Sequence, residues 1–398
     1  MTIGKAKDTY IIGAARTAVG RFLGGLACLR APDLGAIAIK GAIERAKVNP
    51  AEIAGVIMGN VCPAGIGQAP ARQAAVLAGL PVEVPALTVN KVCGSGMIAV
   101  ALACQQIKAG DADLIVAGGQ ESMSNVPYYL KTLRAGQKMG NAQLQDGMIY
   151  DGIWDYFGDV HMGELADFTA RNSGISREEQ DRWALRSHQN AVAAIREGRF
   201  KAEIVPVQIP QRKGEPIVFD TDEGPRADTT LEKLSALKPA FTKDGTVTAG
   251  NASSINDGAA ALVIASENYV RQQQLTPLAR VVAYATGSVE PKMLFYAPIK
   301  AIKTLLKIQG VDINYFDLIE INEAFAAQVL ADAQELGWDE SKVNVNGGAI
   351  ALGHPIGCSG ARILVTLIYA LKARKLKKGL AGICLGGGEA VALSLELV

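Results

Sequence analysis

The 398-residue sequence is short of the features that usually fix a function at a glance. It has three histidines and six cysteines. Cys28, Cys62, Cys93, Cys104, Cys358 and Cys384 show no CxxC spacing, and four of them sit in apolar or small-residue runs. The expectation is free thiols in a reducing compartment, with no disulfide framework and no metal site. Charge of one sign is missing too. Lys plus Arg total 40 against 39 acidic residues, a net charge of +1, so nothing electrostatic recruits nucleic acid or an anionic membrane as a main partner. No uninterrupted apolar run approaches the roughly 20 residues of a bilayer span, and the opening "MTIGKAKDTY" has no apolar signal core. A cytoplasmic protein with neither a membrane nor a nucleic-acid partner is expected.

What is present is a large core. With 49% hydrophobic and 20% charged residues, the chain can build two or three subdomains. Short apolar strands such as "GVIMG" (55–59) and "DLIVAGG" (113–119) alternate with Ala-rich helical stretches, which predicts a layered α/β unit. From about Ser122 to Thr248 the charge density and the Pro and Gly punctuation rise, and one helix is marked by a Ser176-to-Glu179 capping box. That stretch reads as an insertion or lid. Strand character returns at "AAALVIAS" (259–266), and a second α/β pattern runs from Arg280.

The two α/β regions resemble each other. "TVNKVCGSG", an apolar helix and "DLIVAGGQE" match "NVNGGAIALGHPIGCSG", an apolar helix and "GICLGGGEA". Each half therefore predicts a Cys-containing helix start and, later, a GGxE turn. A duplication of this kind carries corresponding loops to one shared site.

Several residues have chemistry to offer there. Cys93 lies at a predicted helix N-terminus, where the macrodipole and free N–H groups lower a thiol pKa. His354 is held on a Gly-rich loop followed by Pro355, the setting for a rigid base beside a thiol. His188, in a polar helix, is expected on the solvated surface, and His161, between Val160 and Met162, is ambiguous. Cys384 precedes three glycines whose backbone N–H groups are open to an oxyanion. Asn322 sits where a strand turns into a helix, as an N-cap or a water-orienting amide. Cys358 fills space in a buried helix. Two thiols, one histidine and one amide suit carbon–carbon bond formation or cleavage next to a thioester, with one Cys accepting the acyl group and the other exchanging a proton.

"NKVCGSGMIA", "GNASSINDGAAAL", "NEAFAAQ", "NVNGGAIALGHPIGCSGAR" and "CLGGGEA", in this order across essentially the whole chain, resemble the thiolase family. The resemblance implies an α/β thiolase fold, five-layered αβαβα, with two duplicated halves and an inserted loop domain: residues 1–121 plus 250–272, the insertion 122–249, and 273–398. It implies a homotetramer or homodimer, with 122–143 resembling a tetramerisation loop. It also implies coenzyme A thioesters as substrates, no permanently bound cofactor, and a ping-pong reaction through an acyl-enzyme. By position, Cys93 is the acylated nucleophile, His354 its base, and Cys384 the proton acceptor and donor. Asn322 holds a water that completes an oxyanion hole with His354. The backbone N–H groups of Cys93 and Gly386 form a second hole. His161, Met162, Arg226, Ser253, Leu294, Ala324 and Phe325 fall at substrate- or CoA-binding positions. "HMG" at 161–163 favours a biosynthetic enzyme joining two acetyl-CoA into acetoacetyl-CoA; the alternative is a degradative enzyme for longer or branched 3-oxoacyl-CoA. Decarboxylating condensing enzymes share the nucleophilic Cys but lack a second catalytic thiol, which Cys384 supplies. One segment departs from the family pattern: "PKMLFYAP" has Leu294 in place of Met, and Phe295 and Ala297 in place of glycines. Bulk there is expected to reshape acyl preference.

Overall fold

Strand Asn256–Ser266 shows why the chain folds in layers. In a computed structural model, which describes residues 8–398, all eleven of its residues are buried, because both of its faces are covered. Ala260, Leu262 and Ile264 join one core, and Ala259, Ala261, Val263 and Ala265 join another, the period-two alternation of a strand. Strand Glu389–Leu397 repeats this in the second half: Val391, Leu393 and Leu395 enter the shared core, Ala390 and Ala392 a third one. The shared core is built on helices Ser95–Ala109 and Ile356–Arg374, which pack on strands of both halves. Helices Ala31–Ala46 and Pro70–Leu77 cover the outer face of the first half. Ala297–Gln309 and Ala326–Leu336 cover that of the second. The result is the expected αβαβα stack of five layers.

Hydrogen bonds join the main strands in the order Leu318–Ile321, Lys378–Leu385, Glu389–Leu397, Ala279–Ser288, Thr9–Thr17, Asn256–Ser266, Leu114–Ser122, Gly55–Gly59 and Ala86–Val89. The halves meet where residues 9–11 pair with 279–281. The duplication is visible in the pairing. Lys378–Leu385 runs antiparallel to Glu389–Leu397, with Leu385 opposite Glu389, and residues 386–388 turn between them. Leu114–Ser122 runs antiparallel to Asn256–Ser266, with Ser122 opposite Asp257. The first half therefore has 123–255 inserted where the second has three glycines. Gly387 and Gly388, at φ 86° and 88°, adopt the left-handed conformations that so tight a turn requires. The GGQE of the first half is not the turn its sequence suggested. Gly118 to Glu121 are strand residues, because the insertion displaces the turn beyond them.

The two central helices approach each other closely through reciprocal glycines. A Cβ on Gly96 would lie 2.7 Å from the Ala361 backbone nitrogen, and one on Gly360 would lie 2.5 Å from that of Met97. Stretches Val92–Ala109 and Ile356–Arg374 also reach the length and mean hydropathy of a membrane span, which a search for unbroken apolar runs misses; 56% and 83% of them are buried. The strands of the two halves surround the helices with apolar side chains, and that packing accounts for their composition.

The insertion carries two full helices. Arg177–Arg196 begins as expected, with Ser176 Oγ accepting from the Glu179 backbone and Glu179 accepting from the Ser176 backbone. Met162–Asn172 is the second, and its sequence does not announce it. Its capping box uses His161 Nδ1, which accepts from Gly163 N–H at 3.0 Å, while Glu164 accepts from the His161 backbone at 3.1 Å. Histidine in the position usually held by Ser or Thr gives no familiar start signal.

Candidate active site

The turn that presents Cys93 is held under strain. Val92, a β-branched residue, sits at φ 45°, a conformation such side chains rarely adopt. Its N–H is tied to Asn90 Oδ1 at 3.0 Å, and Ser95 Oγ both accepts from Lys91 N–H and donates to the Val92 carbonyl. The turn lifts Cys93 to the mouth of helix Ser95–Ala109. There its sulfur accepts hydrogen bonds from its own backbone N–H and from that of Gly386. Those two donors converge on the sulfur that is expected to take the acyl group.

The helix start does not leave Cys93 with a low pKa. Burial raises it from the ordinary 9.0 to about 12, against the opposing pull of the two N–H groups. That corresponds to roughly 4 kcal/mol against the thiolate. The dipole argument fails because the sulfur is packed against Val61, Cys62, Met123 and Ile356, where desolvation outweighs two donors. The resting Cys93 side chain is a neutral thiol, which must lose its proton to attack anything. Alkylation of Cys93 by iodoacetamide is therefore expected to accelerate about tenfold per pH unit from about pH 7 to about pH 10. A plateau near the pKa of a free thiol contradicts this burial.

His354 follows the short helix Ala349–Leu352 and precedes Ile356–Arg374. Burial, with the nearby Arg362 charge, lowers its pKa to about 3, so the ring is neutral and able to accept a proton. Ser359 Oγ donates to the Pro355 carbonyl at 3.0 Å and lies 2.6 Å from Nδ1. With its proton so used, the hydroxyl accepts from Nδ1–H, which leaves the Nε2 lone pair free. Replacing Ser359 by Ala is expected to lower kcat about 10- to 100-fold with little change in KM, because the ring loses its fixed tautomer. A folded S359A with unchanged kcat and pH profile removes that assignment.

Cys384 is the penultimate residue of strand Lys378–Leu385, and its thiol pKa is raised well above 9.0, first by burial and then by Cys93 and Asp332. Asn322 follows strand Leu318–Ile321 and is not an N-cap: the next helix starts at Ala326, with Phe325 in the cap position. Its Nδ2 lies 3.5 Å from both ring nitrogens of His354, and its Oδ1, fully buried, has no protein partner. Two buried carboxylates brace these loops. Glu121 accepts from Asn60 Nδ2 and from the N–H groups of Val61, Cys62 and Gly357, and burial lifts its pKa to about 7. Glu323 accepts from Trp183, Ser187, Asn344 and the Ile350 N–H, tying the insertion to the second half beside Asn322.

One cavity of about 660 Å³ brings these pieces together. Cys93, His354, Cys384 and Gly386 line it, as do His161, Met162, Arg226, Ser253, Leu294, Ala324 and Phe325. Asn322 lies behind His354, out of the lining. Because His161 Nδ1 accepts from Gly163, the neutral ring carries its proton on Nε2, and burial lowers its pKa. The His161 ring stacks on Phe241, centroids 4.7 Å apart at 23°, and a Cβ on Gly163 would strike that ring. This explains the glycine of "HMG". Arg226 is exposed and Ser253 half-buried, its N–H bonded to the Ala324 carbonyl at 2.9 Å.

His188 is not on the solvated surface. It is 6% exposed and lines the same cavity, with Nδ1 accepting from Arg226 N–H at 3.2 Å. Burial, then the charges of Arg226 and Arg21, lowers its pKa to about 4. Helix Arg177–Arg196 buries Gln180, Asp181, Ser187 and His188 alongside Trp183 and three alanines, polar positions that an apolar-stripe reading overlooks.

Two halves of one fold contributing a thiol each to a cavity, with a neutral histidine on a braced loop, define a two-cysteine acyltransferase. The chain matches the thiolase N-terminal domain over residues 9–268 and the thiolase C-terminal domain over 275–397. It belongs to the thiolase family. An acetyl-CoA acetyltransferase of Pseudomonas aeruginosa is 55% identical over 98% of this chain and 99% of the relative. One of Cupriavidus necator is 56% identical over the same shares. A crystal structure of the Bacillus anthracis acetyl-CoA acetyltransferase superposes with a TM-score of 0.97 at 44% identity, covering 99% of each chain.

Proposed function

We propose that this chain catalyses 2 acetyl-CoA = acetoacetyl-CoA + CoA in both directions, by a ping-pong route through S-acetyl-Cys93. The carrying observation is the meeting of Cys93, His354 and Cys384 on one cavity, with the Gly386 N–H at the Cys93 sulfur. The name and near full-length identity of the relatives support the same reading.

The proton inventory closes over one cycle. Cys93 Sγ attacks the thioester carbonyl of the first acetyl-CoA as its proton passes to His354 Nε2. The tetrahedral oxyanion sits on the N–H groups of Cys93 and Gly386. CoA leaves with the Cys384 proton, which yields acetyl-Cys93, imidazolium and a Cys384 thiolate. That thiolate takes a proton from the methyl of the second acetyl-CoA. The enolate oxygen is held by His354 Nε2–H and by a water on Asn322, whose free Oδ1 is an acceptor for it. The enolate carbon attacks acetyl-Cys93, and the departing sulfur recovers its proton from His354. Both thiols and the imidazole return to their starting states.

The arm at 122–143 joins the proposal as the contact of a homotetramer. Leu133 and Met139 project from it at 61% and 91% exposure. The half-exposed edge strand Ala86–Val89 offers a dimer contact.

The test is steady-state kinetics of the purified chain with acyl-CoA in both directions, with product identification. Acetoacetyl-CoA formation from acetyl-CoA and parallel double-reciprocal lines in thiolysis are expected. Intersecting lines, or no turnover of acetoacetyl-CoA with CoA, overturn the proposal.

A further inference from the structure

Resting on that reading and extending it, we infer that Phe295 closes the acyl end of the cavity and limits the substrates to short, unbranched acyl groups of acetoacetyl size. The cavity has two chemically distinct ends. Arg21 and Arg226 border one, beside a Lys233–Asp228 ion pair, which suits the anionic part of a CoA thioester. The other is apolar and is where the second thiol sits: Cys384 packs in one cluster with Leu165, Leu294, Phe295 and Phe325, with Met162 against it. Room for an acyl chain beyond the thiols is therefore set by the apolar wall.

Phe295 lines the cavity and yet is only 2% exposed, so its ring is wedged into the wall. Its face is fixed by a chain of aromatic contacts. The ring meets Phe325 edge-on, centroids 5.3 Å apart at 72°, and Phe325 meets Phe241 edge-on at 6.2 Å. Phe241 in turn stacks on His161. The backbone behind it is pinned as well. The 3-10 segment Pro291–Tyr296 is anchored by the Tyr296 hydroxyl, 2.6 Å from Ser173 Oγ and 2.8 Å from Asn172 Nδ2, at the end of helix Met162–Asn172. A close-packed wall fixed from both sides does not retreat for extra methylenes. Excluding one methylene from such a pocket discriminates by about 10- to 200-fold.

The experiment compares kcat/KM for thiolysis of acetoacetyl-CoA, 3-oxohexanoyl-CoA and 2-methylacetoacetyl-CoA by the wild type, Phe295→Ala and Phe295→Leu. The wild type is expected to favour acetoacetyl-CoA by at least about tenfold over each of the others. Phe295→Ala is expected to shrink the ratio for 3-oxohexanoyl-CoA by at least about tenfold, and Phe295→Leu by less. Should the alanine variant fail to fold, the leucine variant and the wild-type ratios carry the decision. Comparable wild-type rates on all three substrates, or folded variants with unchanged ratios, overturn the role of Phe295 while leaving the acetoacetyl-CoA reaction intact. Absence of any acetoacetyl-CoA turnover by the wild type instead refutes the function on which the inference rests.

Discussion

Cys93→Ala is expected to lower kcat/KM for thiolysis of acetoacetyl-CoA by about 10⁴-fold or more, and to abolish the covalent acetyl adduct that wild-type protein forms with acetyl-CoA. No other sulfur can take over. Cys384 is 2% exposed and Cys62 1%, and neither has the pair of convergent N–H groups that Cys93 receives from itself and Gly386. The remaining groups still bind the thioester and polarise its carbonyl. They have nothing to transfer the acyl group to, so the expected residue of activity is that of bound substrate meeting water or free CoA. Intact-mass measurement after mixing with acetyl-CoA, followed by peptide mapping, reads the adduct directly. An adduct surviving in the variant, or mapping to Cys384, removes Cys93 from the nucleophile's place.

That Cys93, Cys384 and His354 meet on one cavity was legible in the sequence because each is announced by its neighbours. Glycines follow Cys93 and Cys384, and His354 stands between a glycine and a proline, a pattern that marks loops held for close approach. What could not be read was the environment on the far side of each group. The helix start at Ser95 promised a lowered thiol pKa, and packing on Cys62, Met123 and Ile356 reversed its sign. His188 reads as solvated because its helix is polar, yet the buried face of that helix includes polar residues, among them Ser187 and His188, that bond to segments far away in sequence. Ser359 carries no local sign of its role, which exists only because one helical turn brings it back to His354. The layered fold was readable from alternating strands and a repeated motif order. The displacement of the first-half turn by the insertion was not, since GGQE and GGGEA look alike and only the pairing of Ser122 with Asp257 separates them.

The same pairing explains how the site stays assembled. In the second half a three-residue turn holds Gly386 against Cys93, and in the first the equivalent opening releases the chain into the insertion that brings His161 and Met162 to the cavity. Glu121 and Glu323, each with four donors, close the loops around these openings. A buried carboxylate with that many donors is costly to deprive of any of them.

Cys384→Ala is expected to separate the two chemical steps. Acetyl-Cys93 should still form, because Cys93, His354 and the two N–H groups are untouched and the CoA thiolate can leave unprotonated and take its proton from water, while condensation falls by about 10²- to 10⁴-fold for want of a group to remove the methyl proton. The neighbouring His354 does not substitute. Its Nε2 already carries the Cys93 proton at that stage of the cycle and has no lone pair to accept a second. Serine at 384 should be nearly as poor as alanine, since an alcohol buried where even the thiol pKa is raised holds its proton more tightly still. Exchange of the acetyl-CoA methyl hydrogens into deuterium oxide isolates the step: wild-type protein is expected to catalyse it, and Cys384→Ala to acylate Cys93 without it. If the variant acylates and exchanges at the wild-type rate, proton transfer belongs to another group on the cavity and Cys384 is only part of its apolar wall.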